Sequence, residues 1–270
     1  MRLVEHGPVR AILRIESRYD SSTLVEELVL SAGARHLDVR VALDWHERLK
    51  LLKLRFPTTV ETESATFEIP YGNVERAAAG DEEPAQSWVD VSGGAKGLSV
   101  CNDAKYGHDA RGGEIGITVV RSPVYAWHEP KELDEDGVYE WMDQGRQDFT
   151  VRLVPHAGDR RAAGTVRLAA ELNQPPFALL ESFHDGSLPA QASYASSDGV
   201  VLTVLKAGED GDGSLVVRAY ESEGRPAHAT IDLPLLDRTI EAEFGANEIK
   251  TFRVPRYADG EIVETNLLEW

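Results

Sequence analysis

Apolar and polar residues alternate with a period of two along most of this chain. Between residues 9 and 18, and again between 37 and 46, nearly every second side chain is apolar and charged residues stand between them. Side chains on a β-strand point to alternate faces, so this pattern predicts strands with one buried and one solvated face. Further strands are predicted at 52–56, 66–69, 98–101, 115–120, 149–153, 165–170, 200–205, 215–220, 231–233, 240–244 and 250–254.

These segments are short, and clusters of Gly, Pro, Asp and Asn separate them, which is typical of a β-sandwich or barrel. Helical periodicity is scarce: residues 25–31 and 139–143 could form a turn or two, and 25–31 fits a strand equally well. Residues 77–85 and 129–137 are acidic and aperiodic, so we expect exposed loops there. The sequence predicts an all-β protein.

The strand pattern is interrupted at residues 184–198 by Gly, Pro and Ser before a new apolar run begins. We therefore expect a large β-sandwich domain at 1–195 and a small β-sandwich domain at 196–270. A chain of 270 residues buries roughly 70–75% of its unfolded surface, so these cores need no covalent staples.

The net charge is −18, with 28 Lys and Arg against 46 Asp and Glu. Such a charge repels phosphate backbones and anionic lipids, which argues against nucleic-acid and membrane-surface partners. Cys101 is the single cysteine, so no disulfide can form within the chain. A reducing compartment is the natural setting, and the sequence shows neither a signal peptide nor a long apolar run. We predict a cytoplasmic location.

Three patterns suggest chemistry that a simpler structural role explains better. Asp44 and His46 share one strand face and could ligate a metal, but a polar outer face is the favoured interpretation because no second such pair follows. Residues 210–214 with Glu221 have part of a calcium-loop pattern, but the glycine position is occupied by leucine, so a hairpin is favoured. Cys101 is more simply a packing residue than a nucleophile.

The loop at residues 102–109 is the most promising site, because amide, carboxylate, ammonium, phenol and imidazole groups follow one strand closely. Such groups can hydrogen-bond sugar hydroxyls, with Tyr106 and Trp88 offering aromatic faces. The alternative is a hairpin loop whose polar groups satisfy their own backbone, and the residues alone leave both open. The candidate site residues are Asn102, Asp103, Lys105, Tyr106, His108 and Asp109, with Arg121 as a further anion or hydroxyl contact.

Several segments, in the same order and over nearly the whole chain, resemble the C-terminal β-sandwich region of family 38 glycoside hydrolases, the metal-dependent α-mannosidases. After Asp143-Gln144-Gly145 that family usually places a histidine two residues on, where this chain has Gln147. The resemblance implies a large antiparallel sandwich of the galactose-mutarotase-like kind followed by a small β-sandwich. The segments that carry it are 44–57, 67–72, 88–90, 102–109, 121–123, 143–145, 153–158, 202–206, 209–210, 215–221 and 247–251.

In that family an N-terminal β/α domain carries the aspartate nucleophile and a His/Asp site for a divalent metal, usually zinc, and the reaction is retaining. This chain begins at the β-rich region, so the resemblance implies no catalytic residue, metal site or cofactor here, and no activity alone. We expect a scaffold for the catalytic β/α domain of a mannosidase acting on mannosides or oligosaccharides, with the 102–109 loop at the rim of the sugar site. Oligomer formation is compatible with this role.

Two alternatives stay open. A free-standing carbohydrate-binding module would bind sugar without hydrolysis and would expose Trp88 and Tyr106. A sugar epimerase on the same superfold would need a histidine acid and a glutamate base in one cleft, and no pairing in the sequence recommends one.

Overall fold

A computed structural model describes residues 1–126, 129–187, 189–257 and 259–269. Most of the ordered segments are strands, and two short helices lie between strands β13 and β14. The strands are β1 Arg2–His6, β2 Arg10–Tyr19, β3 Ser22–Ser31, β4 Leu37–Trp45, β5 Leu51–Pro57, β6 Ser64–Ile69, β7 Gly72–Ala77, β8 Ala79–Pro84, β9 Trp88–Gly93, β10 Lys96–Asn102, β11 Gly107–Arg111, β12 Glu114–Arg121, β13 Gly145–Ala157, β14 Ser196–Asp198, β15 Val201–Ala207, β16 Leu215–Tyr220, β17 Ala227–Leu233, β18 Arg238–Phe244, β19 Ile249–Val254 and β20 Val263–Thr265.

The chain divides into two compact units. One comprises Met1–Glu68 and Val74–Pro176, and the other comprises Ile69–Asn73 and Phe177–Trp270. The larger unit is built on two antiparallel sheets, one of nine strands in the order β1-β2-β3-β4-β13-β10-β9-β6-β7 and one of four in the order β5-β12-β11-β8. The predicted boundary between residues 195 and 196 stays a prediction.

The core of the larger unit is formed by the inward-facing side chains of both sheets. Val41 and Leu43 of β4 and Val89 of β9 belong to one buried cluster with Ile115 and Ile117 of β12. The alternation read from the sequence is therefore the alternation between this core and the outer faces. The other face of the nine-stranded sheet carries charged side chains, and it positions the candidate site.

Residues 165–170, predicted as a strand, are helical instead. Helices α1 Arg160–Ala163 and α2 Thr165–Asn173 follow β13. The Asp159 carboxylate accepts hydrogen bonds from the backbone N–H groups of residues 161 and 162, and Gly164 adopts a left-handed φ of 68° between the helices. The N-cap and the αL glycine favour helices here, and the buried positions of α2 are Thr165, Val166 and Ala169. The prediction mistook this spacing for alternation.

Two other local predictions are resolved by the structure. Residues 77–85, predicted as a loop, contain the edge strand β8, and its acidic residues are compatible with an edge because charged side chains discourage further strand pairing. Residues 25–31, for which helix and strand were both open, lie in β3.

The all-β fold is confirmed. No helix in the described part of the chain is long and apolar enough to cross a membrane.

The smaller unit contains a three-stranded sheet, β14-β17-β18, and a four-stranded sheet, β15-β16-β19-β20. Ala229 and Ile231 of β17, Phe244 of β18 and Phe252 of β19 belong to its buried cluster. The Phe244 and Phe252 rings lie 6.5 Å apart, centroid to centroid, in a tilted arrangement, which is a favourable aromatic geometry.

Candidate functional site

The predicted loop at residues 102–109, which we call the site loop, includes the last residue of β10, the connection at 103–106 and the first three residues of β11. Its first residue, Asn102, is buried. The Asn102 side-chain oxygen accepts hydrogen bonds from the backbone N–H groups of Ala104, at 3.0 Å, and Lys105, at 2.6 Å. Its Nδ2 lies 3.2 Å from Nε2 of His108, and its backbone oxygen accepts from Nδ2 of Asn173 in α2 at 3.1 Å. Asn102 therefore shapes the loop and ties it to the helix.

His108 is fully buried at the other end of the loop. Burial lowers the pKa of this imidazole to about 4, because the charged form of the ring is poorly stabilised away from water. A neutral ring can accept the Asn102 amide hydrogen at Nε2. His108 is thus a buried neutral histidine that closes the base of the site loop, and its ring is not presented to solvent.

Asp109 is also buried and is paired on the outer face of the four-stranded sheet. Its carboxylate forms an ion pair with Lys53 and a second with Nη1 of Arg55 at 3.2 Å. Burial alone would lower the pKa of Lys53, yet its hydrogen bonds to Asp109 and Glu82 outweigh burial and raise that pKa. Gly116 faces this carboxylate so closely that an added Cβ would lie 2.4 Å from Oδ1. The carboxylate is therefore enclosed by partners.

Asp103 and Lys105 lie nearer the surface and bind β13. Oδ1 of Asp103 accepts a hydrogen bond from the Thr150 backbone N–H at 2.8 Å. Nζ of Lys105 donates to the side-chain oxygen of Gln147 at 2.5 Å and lies 5.0 Å from the centroid of the Phe149 ring. Burial lowers the pKa of Lys105. Gln147 therefore anchors the site loop.

Tyr106 and Arg121, like Asp103, are exposed members of the predicted set. The Tyr106 side chain is 63% exposed. Arg121 ends β12, and its backbone N–H donates to Oδ2 of Asp143 at 2.9 Å. Trp88, expected as a second aromatic face, is 1% exposed and lies under the Arg160 guanidinium, 5.3 Å from the ring centroid. The expectation of an exposed Trp88 was wrong, because the outer face of β9 is covered.

A groove of about 740 Å³ runs along the outer face of the nine-stranded sheet, and Asp103 is the residue of the site loop that reaches it. Arg14 pairs with Glu27 across β2 and β3 at 3.1 Å, and Arg146 pairs with Asp148 at 2.8 Å. Charges of both signs alternate, so the groove suits a neutral polar ligand or a polar protein surface. Its lining is Arg14, Thr23, Val25, Glu27, Arg40, Val41, Ala42, Leu43, Asp44, Asp103, Arg146, Asp148, Phe149 and Thr150.

A buried polar network beneath α2 was missed by the sequence analysis. The Asp90 carboxylate accepts hydrogen bonds from Ser92 at 2.5 Å and Ser99 at 2.7 Å, and it lies 2.8 Å from Nε2 of His156. Ser99 also bonds Thr165, the first residue of α2, at 2.6 Å. The network fixes the helix to the sheet. Residues 88–90 and 153–158 both carried the family resemblance, and this pairing of Asp90 with His156 brings the two segments together.

The other candidate sites have structural partners. Asp44 and His46 form an exposed pair with each other at 2.9 Å. Asp210 and Asp212 both form ion pairs with Arg253 in the hairpin between β15 and β16. Hydrogen bonds from Ser214 lower the pKa of Asp212 to about 2. The hairpin interpretation of residues 210–214 is therefore confirmed.

Glu221, the remaining acidic residue of that pattern, is fully buried. Its carboxylate accepts hydrogen bonds from the backbone N–H groups of residues 223, 224, 225 and 247 at 2.6–3.1 Å. Cys101 is buried too, and burial raises the pKa of its thiol, which disfavours the thiolate form. Over the described residues, no group of three or more His, Cys, Asp or Glu side chains is placed to hold a metal ion.

The chain is thus a β-rich region of two sandwiches, and most polar side chains of the candidate site are bonded to neighbouring residues. Residues 1–132 match the model of the glycosyl hydrolases family 38 C-terminal domain. This match, which covers just under half of the chain, assigns residues 1–132 to the C-terminal region of that family.

Curated relatives and solved structures agree with this assignment. The chain is 33% identical over 225 residues to human Alpha-mannosidase 2C1, and this alignment covers 80% of this chain and 20% of the relative. It is 28% identical to Alpha-mannosidase G of Dictyostelium discoideum, covering 83% of this chain and 21% of that protein. An α-mannosidase from Enterococcus faecalis superposes with a TM-score of 0.76 at 18% identity, covering 94% of this chain and 34% of that chain, which shows the fold. The chain spans about a fifth of the length of the curated relatives it matches.

Proposed function

We propose that this chain is the non-catalytic β-region of a family 38 α-mannosidase, and that it supports a catalytic β/α region of that enzyme. The complete enzyme would hydrolyse terminal α-D-mannosides in mannose and oligosaccharide catabolism, with retention of configuration. The observation that carries the proposal is the match of residues 1–132 to the family's C-terminal domain, within relatives about five times as long as the matched stretch.

The charged groups of the site loop agree with a supporting role. Asp109 is enclosed by Lys53 and Arg55, and His108 is neutral and buried. A glycosidase needs two carboxyl groups that face the sugar across a free cleft. We therefore assign the nucleophile and the acid to the catalytic region.

The divalent metal of the family, usually zinc, does not fit the described residues of this chain, since they contain no cluster of three metal-ligating side chains. The Asp44–His46 pair supplies two groups, and those two groups bind each other. We accordingly place the metal in the catalytic region and derive no step of the reaction through it here.

We propose that the exposed part of the site loop contributes to the rim of the sugar site. Asp103 reaches the sheet groove and Tyr106 presents an open aromatic face, and aromatic faces stack on sugar rings. In this proposal Lys105 and Arg121 are further donors for hydroxyl groups of the sugar. Asn102, His108 and Asp109 hold this rim in position from below and do not contact the sugar in this proposal.

The alternative, a free-standing carbohydrate-binding module, is less well supported. Phe149 is the aromatic residue that lines the sheet groove, and it is 5% exposed. Trp88 is buried beneath Arg160. Of the two aromatic side chains expected to face a sugar, Tyr106 is therefore the exposed one. The cytoplasmic location stays a prediction, as does the formation of oligomers.

Association with the catalytic region tests the proposal. The catalytic region of the family 38 enzyme from the same source, expressed as a separate chain, is titrated with this chain by calorimetry, and mannose and α-linked mannobiose are titrated into this chain alone. We expect a one-to-one complex and no heat from the sugars. Sugar binding without binding to the catalytic region would instead support the carbohydrate-binding module.

A further inference from the structure

Between α2 and β14 the described residues, 174–187 and 189–195, have irregular backbone. Helix α2 ends at Asn173 and β14 begins at Ser196. Irregular segments of more than about 12–15 residues are uncommon in compact domains and are usually functional loops or linkers. The segment opens with Pro175 and Pro176, which favour extended backbone and disfavour continuation of the helix.

Residues 177–183 of this segment, which we call the apolar arm, expose large apolar side chains. Phe177 is 90% exposed, Leu179 81%, Leu180 101% and Phe183 108%. The side-chain hydrogen bonds described for this stretch are local: Glu181 accepts from the Ser182 backbone N–H at 3.2 Å. Four large apolar side chains within seven residues are an unusual use of surface, and contiguous apolar patches mark interaction sites.

We propose that the apolar arm docks in an apolar groove on the catalytic region of the family 38 enzyme. This inference rests on the proposed function and names the segment that makes the contact. The curated relatives contain about four-fifths of their length outside the matched stretch, so proteins of this kind carry a large further region with which the arm can pack. Each buried phenylalanine contributes about 150–250 Å², a substantial share of the about 800 Å² that each side of a standard interface buries.

A second copy of this chain is a poorer occupant for the same contact. The net charge of −18 makes two copies repel each other at neutral pH. The arm itself carries one acidic residue, Glu181, among apolar neighbours. The arm therefore offers an apolar contact, whereas the rest of the chain opposes association with a second copy of itself.

The test compares the variant Leu179→Ser/Leu180→Ser with a matched control, Leu235→Ser/Leu268→Ser. The control makes the same chemical change at two leucines of the same unit that are 64% and 75% exposed. Both variants are first checked for an unchanged melting temperature. Binding to the separately expressed catalytic region is then measured by calorimetry, and amide exchange of the arm is followed with and without that partner.

We expect the arm variant to bind at least about tenfold more weakly than the wild-type chain, since truncation of buried interface anchors costs this much or more. The control should bind like the wild type, and arm amides should be protected only in the complex. Equal binding by the arm variant and the wild type would overturn the inference while leaving the proposed function intact. No complex with the wild-type chain would contradict the proposed function itself. Concentration-dependent dimerisation lost in the arm variant would assign the arm to a second copy and overturn the inference.

Discussion

The base and the tip of the site loop have similar sequence polarity but differ in structure. At the base, Asn102, His108 and Asp109 are buried, and their polar atoms bond the loop backbone, each other or the cations of β5. At the tip, Tyr106 is open to solvent and Asp103 reaches the sheet groove. The comparison shows that a cluster of polar residues can supply both the frame of a loop and its presented surface.

The largest effect is expected at Asp109. The substitution Asp109→Ala removes one of the two carboxylate partners of Lys53, whose side chain is 14% exposed, and leaves Glu82 alone to balance this poorly solvated ammonium group. Removing one member of a buried pair costs about 3–5 kcal/mol, and we expect a loss near the lower value, measured by urea unfolding. Glu114→Ala is the matched control, since Glu114 pairs with Arg55 nearer the surface. An equal loss in both variants would mean that Asp109 does not belong to the buried base.

A pH dependence is expected from His108. The pKa of His108 is about 4 in the folded protein, and its ordinary value is 6.5. Between pH 4 and 6.5 the unfolded chain therefore binds a proton at this residue and the folded chain does not. The contribution of a neutral His108 to stability is therefore complete above pH 6.5 and is lost as the pH falls toward 4, by about 3 kcal/mol at most.

The measurement is the free energy of unfolding of the wild type and of His108→Gln at pH 7.5, 5.5 and 4.5. The difference between the two proteins should change with pH in favour of the variant as the pH falls. A constant difference would show that the imidazole stays accessible to protons in the folded state.

A smaller effect is expected at Asn102. In Asn102→Ala, two backbone N–H groups of the loop lose their acceptor and His108 loses its neighbour. Unsatisfied buried groups cost about 1–3 kcal/mol, so we expect a loss of about 2 kcal/mol in chemical unfolding. Asp103→Asn keeps the acceptor for the Thr150 N–H and should be nearly neutral. If the two losses are the same, the base and the tip are not distinct.

The smallest effect on stability is expected at Tyr106. Tyr106→Ala removes an exposed side chain, so the free energy of unfolding should change by no more than about 0.5 kcal/mol. In the assembled enzyme the same variant should raise KM for an α-mannoside several-fold, because it removes a rim contact. An unchanged KM would remove Tyr106 from the sugar rim.

The fold could be read from the sequence because period-two alternation reports directly on sheet faces. The predicted strand at 215–220 coincides with β16 Leu215–Tyr220. The pattern failed at 165–170. The positions of Thr165, Val166 and Ala169 match neither strict alternation nor strict helical spacing, so the pattern allowed both structures. The decisive signals there were the Asp159 cap and the left-handed Gly164. Local capping chemistry, which a search for periodicity ignores, determined the helix.

The candidate site was less predictable, because burial decides what a polar group does and the sequence does not state burial. Asp103 and Asp109 are both aspartates of the predicted loop, yet Asp103 lines a groove, whereas Asp109 lies in β11 and is enclosed by Lys53 and Arg55. The network of Asp90, Ser99 and His156 was missed for the same reason. Its members lie on three strands, with His156 lying 66 residues after Asp90, and the pairing of β9, β10 and β13 brings them together.

Hydrolysis of an aryl α-mannoside by the purified chain, with and without the separately expressed catalytic region, tests the central claim most directly. We predict no turnover by the chain alone, and turnover that a chelator abolishes when the catalytic region is present. Turnover by the chain alone that a chelator abolishes would contradict the assignment of this β-region to a supporting role.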